Sequence, residues 1–118
     1  MSRIEIEVLK SQAALKAFSN TWEKLESGRL ATPRLAFGSL RELFSAITPK
    51  RLELVRFVAG HEGLNTRQLA SRIRRNYKNV HGDVKELTEL GLLEKDEAGL
   101  LFAPYDEIVI HAPIREVA

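Results

Sequence analysis

Basic side chains are concentrated between residues 67 and 85 of this chain of 118 residues. Six residues of that stretch are Lys or Arg, and Asp83 is its single acidic residue. The segment 49–90 holds nine basic and five acidic residues, whereas 91–118 holds two basic and six acidic. Clustered positive charge is typical of a surface that binds phosphate groups, although a solvated helix surface gives the same pattern. The neighbouring residue types and the predicted elements favour the first interpretation.

Amide and aromatic side chains accompany these charges at the start of a helix predicted over residues 76–90. Asparagine can pair with adenine through two hydrogen bonds, lysine donates to guanine or phosphate, and tyrosine bonds phosphate or packs on the thymine methyl group. The arginines before the helix are placed to bind phosphates, and the amides of the helix N-terminus add to that. The predicted DNA-binding residues are Arg67, Arg72, Arg74, Arg75, Asn76, Tyr77, Lys78, Asn79, His81 and Lys85.

Two helices are predicted before this one from their start patterns. Thr48 followed by Pro49 is typical of a helix start, because threonine caps the first turn and proline fits the first helical position. Asn65 with Gln68 three residues later forms a capping-box pattern. Both starts precede apolar residues at helical spacing, so each predicts an amphipathic helix.

A β-hairpin is predicted after the third helix. The helix over 76–90 ends at Gly91, and the apolar period then changes to that of strands. The predicted hairpin arms are 92–94 and 100–102. This order of three helices and a hairpin predicts an α+β fold of the winged helix-turn-helix type, in which the third helix enters the major groove.

We predict a division into an N-terminal strand and helix extension, 1–48, and a winged helix-turn-helix domain, 49–118. The extension begins with an alternating strand over 4–8 and continues with a helix over 11–28. The other predicted elements are a short strand over 35–37 that pairs with the first, a helix over 39–46 with Leu40, Leu43 and Phe44 inward, and a strand over 108–110. We expect the extension and the last strand to form the contact of a homodimer.

Two features are unusual for a DNA-binding winged helix. Gly82 lies inside the third helix, where glycine costs about 1 kcal/mol relative to alanine. It either allows a close approach to DNA or to a neighbouring helix, or is a tolerated exposed glycine. The hairpin turn carries Glu94, Asp96 and Glu97 against Lys95, so we predict a mainly structural wing that makes at most one DNA contact through Lys95.

Catalytic and metal-binding patterns are weak in this sequence. There is no cysteine, and His61, His81 and His111 do not have metal-ligand spacing. Glycine-rich phosphate loops and serine elbows are absent as well. Glu5 and Glu7 alternate along a strand and are expected to face solvent rather than to form a catalytic pair. The sequence therefore predicts a protein that is not an enzyme and uses no cofactor or metal.

Membrane and targeting patterns do not appear either. No apolar run approaches the roughly 18 residues that a membrane span needs. The N-terminus alternates polar and apolar residues, unlike a signal peptide. Absence of cysteine fits a reducing compartment. We expect a cytoplasmic protein without membrane contact.

Several runs of residues together resemble a known family. They are 47–54 (ITPKRLEL), Leu69-Ala70, 77–81 (YKNVH), Asp83-Val84, 90–92 (LGL) and 104–110 (PYDEIVI). In them the chain resembles small predicted transcriptional regulators, MarR/ArsR-like in fold, which occur in bacteria and archaea and are commonly described as DNA-binding proteins. The resemblance covers nearly the whole chain. It implies repression of a nearby operon, with DNA contacts from 77–81 and the flanking arginines.

Three hypotheses about function follow. The first is a sequence-specific repressor that binds double-stranded DNA as a homodimer and reads two half-sites. The second is an antitoxin-type interaction module that binds a toxin partner and autoregulates its operon, since some members of the resembled family are antitoxin-like. The third is RNA binding by the same basic surface, which the lack of an exposed aromatic stacking pattern disfavours.

Overall fold

The computed structural model describes residues 2–9 and 32–115, and their elements confirm an α+β protein. The predicted helix over 11–28 lies outside the described residues. The chain forms two compact units, one holding the described residues up to Ala46 and from Glu107, the other spanning Ile47–Asp106. The described elements are β1 (Arg3–Val8), β2 (Arg34–Phe37), α1 (Leu40–Ala46), α2 (Pro49–Gly60), α3 (Thr66–Ile73), α4 (Tyr77–Glu89), β3 (Glu94–Lys95), β4 (Leu101–Phe102) and β5 (Glu107–His111).

The first unit contains a parallel three-stranded sheet in the order β2-β1-β5. The predicted alternation of β1 is confirmed, because Ile4, Ile6 and Val8 are at most 8% exposed. The predicted pairing of the second strand with the first is also confirmed, with Ile6 opposite Leu35. On its other side the same residue lies opposite Ile110 of β5. The central strand therefore supplies the buried row of this sheet.

Two predicted orientations in the first unit are wrong. Phe44 was expected to point inward but is 56% exposed, whereas Leu43 is fully buried. Successive helical residues point about 100° apart, so a short helix that buries one of them turns the other outward. The side chains of Glu5 and Glu7, expected to face solvent, are only 17% and 22% exposed, because they flank the Arg34 guanidinium on the neighbouring strand.

The predicted helix starts of the second unit are confirmed. The Thr48 hydroxyl accepts a hydrogen bond from the Arg51 amide at 3.2 Å, and Pro49 is in the first turn of α2. The Asn65 side chain accepts from the Gln68 amide at 2.7 Å, and the Gln68 side chain accepts from the Asn65 amide at 2.9 Å. These reciprocal bonds satisfy amide groups that the start of α3 would otherwise leave unpaired.

The core of the second unit is aliphatic. It draws one buried row from each of its helices and adds residues from the segment that follows them. The buried residues are Ile47, Leu54, Val55, Val58, Leu69, Ala70, Val80, Val84, Leu87, Leu92, Leu93 and Leu101.

None of the described helices combines the length and the apolar character that crossing a membrane requires.

The predicted hairpin is confirmed in a shortened form. β3 and β4 pair antiparallel over two residues each, and Leu101 also bridges to Leu64 in the loop after α2. The Asp96 carboxylate accepts hydrogen bonds from the amides of Ala98 and Leu100, both at 2.9 Å. This acidic residue of the turn therefore holds the turn together.

The last strand lies in the first unit. The predicted division at residue 48 placed the segment 107–111 with the helices and the hairpin. In the structure β5 pairs in parallel with β1, with Ile108 opposite Ile4. The backbone partners of this strand are therefore at the other end of the chain, in the first unit.

Candidate nucleic-acid interface

A three-residue turn, 74–76, joins α3 to α4. Arg74 has the left-handed conformation, with φ 57° and ψ 47°, and its amide donates to the Ser71 carbonyl at 3.3 Å. The Arg75 amide donates to the Ala70 carbonyl at 3.1 Å. A left-handed residue other than glycine costs about 1–2 kcal/mol, so the bend is built at some cost in stability.

Asn76 begins α4. Its side-chain oxygen accepts hydrogen bonds from the amides of Lys78 at 2.9 Å and Asn79 at 3.3 Å. The oxygen that adenine would need is thus committed to the helix start. Asparagine is among the best helix-capping residues, so the capping role of Asn76 could have been inferred from the sequence. A base contact was predicted for this residue instead.

Arg75 is held inside the unit by an acidic partner. Its Nη2 donates to the Asp83 carboxylate at 2.8 Å, and Arg51 Nε on α2 donates to the other carboxylate oxygen at 3.0 Å. All three side chains are at most 24% exposed. We name this group the Asp83 clamp. It joins α2, the turn and α4, so the Arg75 guanidinium, for which a phosphate contact was predicted, is paired with Asp83.

The electrostatics of the Asp83 clamp favour the charged state. Burial opposes ionisation of the carboxylate, but the hydrogen bonds and charges of Arg75 and Arg51 outweigh that opposition. The pKa of Asp83 consequently lies below its ordinary value of 3.8. The sequence showed Asp83 only as the lone acid among cations, and Arg51 was missed because it is 32 residues away.

Arg67 on α3 contacts Tyr77 at the start of α4. The Arg67 guanidinium carbon lies 4.3 Å from the centre of the Tyr77 ring, which is a cation–π distance. The Tyr77 ring in turn lies 5.8 Å from that of His81, one helical turn on. Tyr77 stays 39% exposed. These three predicted residues are therefore brought together at the start of α4.

One side of α4 is anchored and the other is open. Val80, Val84 and Leu87 are fully buried. Helical geometry places Lys78 and Lys85 on the opposite side. We name that side the outer face of α4; its exposed predicted residues are Lys78, Asn79, His81 and Lys85, and Arg72 and Arg74 are exposed on α3 and the turn.

Negative charge limits this surface at the far end of α4. Glu86 and Glu89 are exposed in its last turns. In the hairpin, Glu94 and Glu97 are exposed beside Lys95. The exposed cations Arg72, Arg74, Lys78 and Lys85 therefore precede these acids along the chain, and the helix dipole adds positive charge at the first turn of α4.

Among the described residues of the first unit, four ionisable side chains form a cross-strand cluster. His111 Nε2 lies 3.4 Å from one Glu5 carboxylate oxygen, and Arg34 Nε lies 3.5 Å from the other. Arg34 also approaches the Glu7 carboxylate at 3.9 Å. Opposite charges on neighbouring strands stabilise a sheet in this way, and their separation in sequence hid the arrangement.

Comparison with known proteins gives one result. These elements define a small α+β protein with a cationic, solvent-exposed helix N-terminus. The family model HVO_A0114 matches residues 46–110, more than half of the chain, and the chain therefore belongs to the HVO_A0114 family. Searches of curated proteins and of solved structures found no match.

Proposed function

We propose that this protein is a DNA-binding transcriptional regulator of the winged helix-turn-helix type that reads the major groove with residues 77–85 of α4. The observation that carries the proposal is the two-sided character of this helix. Its apolar side is fully buried through Val80, Val84 and Leu87, while the outer face presents Lys78, Asn79 and Lys85 to solvent. A helix anchored in this way is rigid, and a major groove is wide enough to receive it.

The order of elements supports the same proposal. α2, α3 and α4 are followed directly by the β3–β4 hairpin, and a three-residue turn separates α3 from α4. The Leu64–Leu101 bridge ties the hairpin back to the loop between α2 and α3. In a winged helix-turn-helix the second helix braces the third in this arrangement, and the hairpin is the wing.

The set of DNA contacts that we propose is smaller than the set predicted from the sequence. In this proposal Asn79 reads a base edge, whereas Lys78, Lys85, Arg72 and Arg74 contact phosphates or guanine. Arg75 and Asn76 position the helix through the contacts described above.

Arg67, Tyr77 and the β3–β4 wing have supporting roles in this proposal. Arg67 braces Tyr77, which offers its ring edge and hydroxyl to the DNA backbone. The acidic wing is structural, because Asp96 caps its own turn and Glu94 and Glu97 repel phosphate.

We further propose a repressor that acts as a homodimer through its first unit. Within the described residues this unit exposes large apolar side chains at Phe44, Ile110 and Ile114. Two copies would present two α4 helices to two half-sites. The mass in solution at micromolar concentration tests this part, and a strict monomer would contradict it.

The DNA-binding proposal is tested by selecting bound duplexes from a random pool at physiological salt, then titrating the selected duplex against salt. Replacing Lys78 or Lys85 by alanine is expected to lower the slope of log K against log salt by about one unit each. Arg56→Ala is the matched control, because Arg56 is an exposed cation on α2 of the same unit. No enrichment of any duplex, or equal slopes for all variants, would refute the proposal.

A further inference from the structure

Gly82 lies in the middle of α4, and no contact or backbone conformation among the described residues requires a glycine at this position. A Cβ atom built on it meets no atom within 4 Å. Positive φ values occur at Gly63, Gly91 and Gly99, whereas Gly82 has the ordinary helical backbone that any residue adopts. Glycine is the weakest helix former apart from proline. Neither packing against the described residues nor backbone conformation therefore explains glycine here.

The position of Gly82 on the helix is informative. It lies one turn after Lys78 and one turn before Lys85, so all three share the outer face of α4. The helical rise separates the two lysine Cα atoms by about 10 Å, the height of about three base pairs. Between two long side chains the helix thus leaves a notch where its own backbone is the outermost surface.

We infer that Gly82 is the point of closest approach between α4 and duplex DNA. At this residue the helix backbone contacts base edges on the floor of the major groove, and Lys78 and Lys85 extend past it on either side. This inference rests on the proposed function. It adds how deeply α4 enters the major groove and which of its residues lies closest to the bases. A side chain at position 82 would hold the helix away from the bases and weaken the contacts of Asn79.

The inference predicts opposite effects of one methyl group on folding and on binding. Gly82→Ala should raise the melting temperature by about 4 °C, because alanine favours the helix. The same change should weaken binding to the selected duplex about tenfold, since a methyl group forced into a packed contact costs roughly that much. The salt slope should not change, because no charge is removed.

The matched control is Gly60→Ala. Gly60 ends α2, and a Cβ atom there also meets nothing within 4 Å. This variant should bind the duplex as the parent protein does. Thermal unfolding and a fluorescence-anisotropy titration on the parent and both variants complete the experiment.

The outcomes separate this inference from the proposed function. If the parent binds the duplex and Gly82→Ala binds it equally well, the inference is overturned and the proposed function stands. An affinity loss equal to that of Gly60→Ala would overturn it too. A parent protein that binds no duplex overturns the proposed function itself. Weaker binding by a more stable Gly82→Ala protein, at unchanged salt slope, supports the inference.

Discussion

Breaking the Asp83 clamp should destabilise the second unit and loosen the turn before α4. The carboxylate receives hydrogen bonds from Arg75 at 2.8 Å and from Arg51 at 3.0 Å. A shielded hydrogen bond to a charged group contributes about 1.5–3 kcal/mol, and exposed ion pairs contribute about 0–1 kcal/mol. With side chains 16–24% exposed, the two bonds together lie between these limits. We expect Asp83→Ala to lower the free energy of unfolding by about 2 kcal/mol.

Urea denaturation at neutral pH measures this change. Glu86→Ala is the control, because Glu86 is an exposed acid in the next turn of the same helix. A double-mutant cycle of Asp83→Ala with Arg75→Ala isolates the pair, and the coupling energy should be about 1 kcal/mol. A change below about 0.5 kcal/mol for Asp83→Ala, similar to that of the control, would refute the reasoning.

The same group predicts a pH dependence. The pKa of Asp83 is lower in the folded protein than its ordinary value of 3.8, so folding favours the ionised form. Its contribution is complete above that value and is lost as the pH falls through the lower, folded pKa. Between neutral pH and about pH 3, the parent should lose more stability than Asp83→Asn. Equal losses would contradict the assigned clamp.

Two further predictions concern the turn between α3 and α4. Asn76→Ala should cost about 1 kcal/mol of unfolding free energy, since it removes the cap that accepts from the Lys78 and Asn79 amides; a change within about 0.3 kcal/mol in urea denaturation would refute this role. Arg74→Gly should raise stability by up to about 1 kcal/mol by relieving the left-handed arginine, and should lower the salt slope of DNA binding by about one unit. If stability falls or the slope stays the same, Arg74 has been misassigned.

Local patterns predicted the helices of the second unit well. Thr48, Pro49 and the Asn65–Gln68 pair act within a few residues of themselves, so their capping roles follow from sequence alone. The buried row of α4 follows from helical periodicity in the same way. The cationic character of the outer face could also be predicted, because a helix places its polar residues opposite its apolar ones.

Interactions between distant residues could not be predicted in this way. The pairing of Arg51 with Asp83 depends on α2 lying beside α4, because these two residues are 32 positions apart. Pairing of β5 with β1 joins the two ends of the chain, which no local pattern encodes. Asn76 is a different case. An asparagine side chain can either cap a helix or pair with a base, and here it caps α4 because the backbone amides are the nearer partners.

The central claim is that the outer face of α4 binds in the major groove of duplex DNA. An amide NMR titration of the full chain with its selected duplex tests it most directly. We expect the largest shifts on residues 77–85, with smaller changes in the β3–β4 hairpin. Shifts concentrated in the sheet of the first unit, with α4 unchanged at saturating duplex, would contradict it.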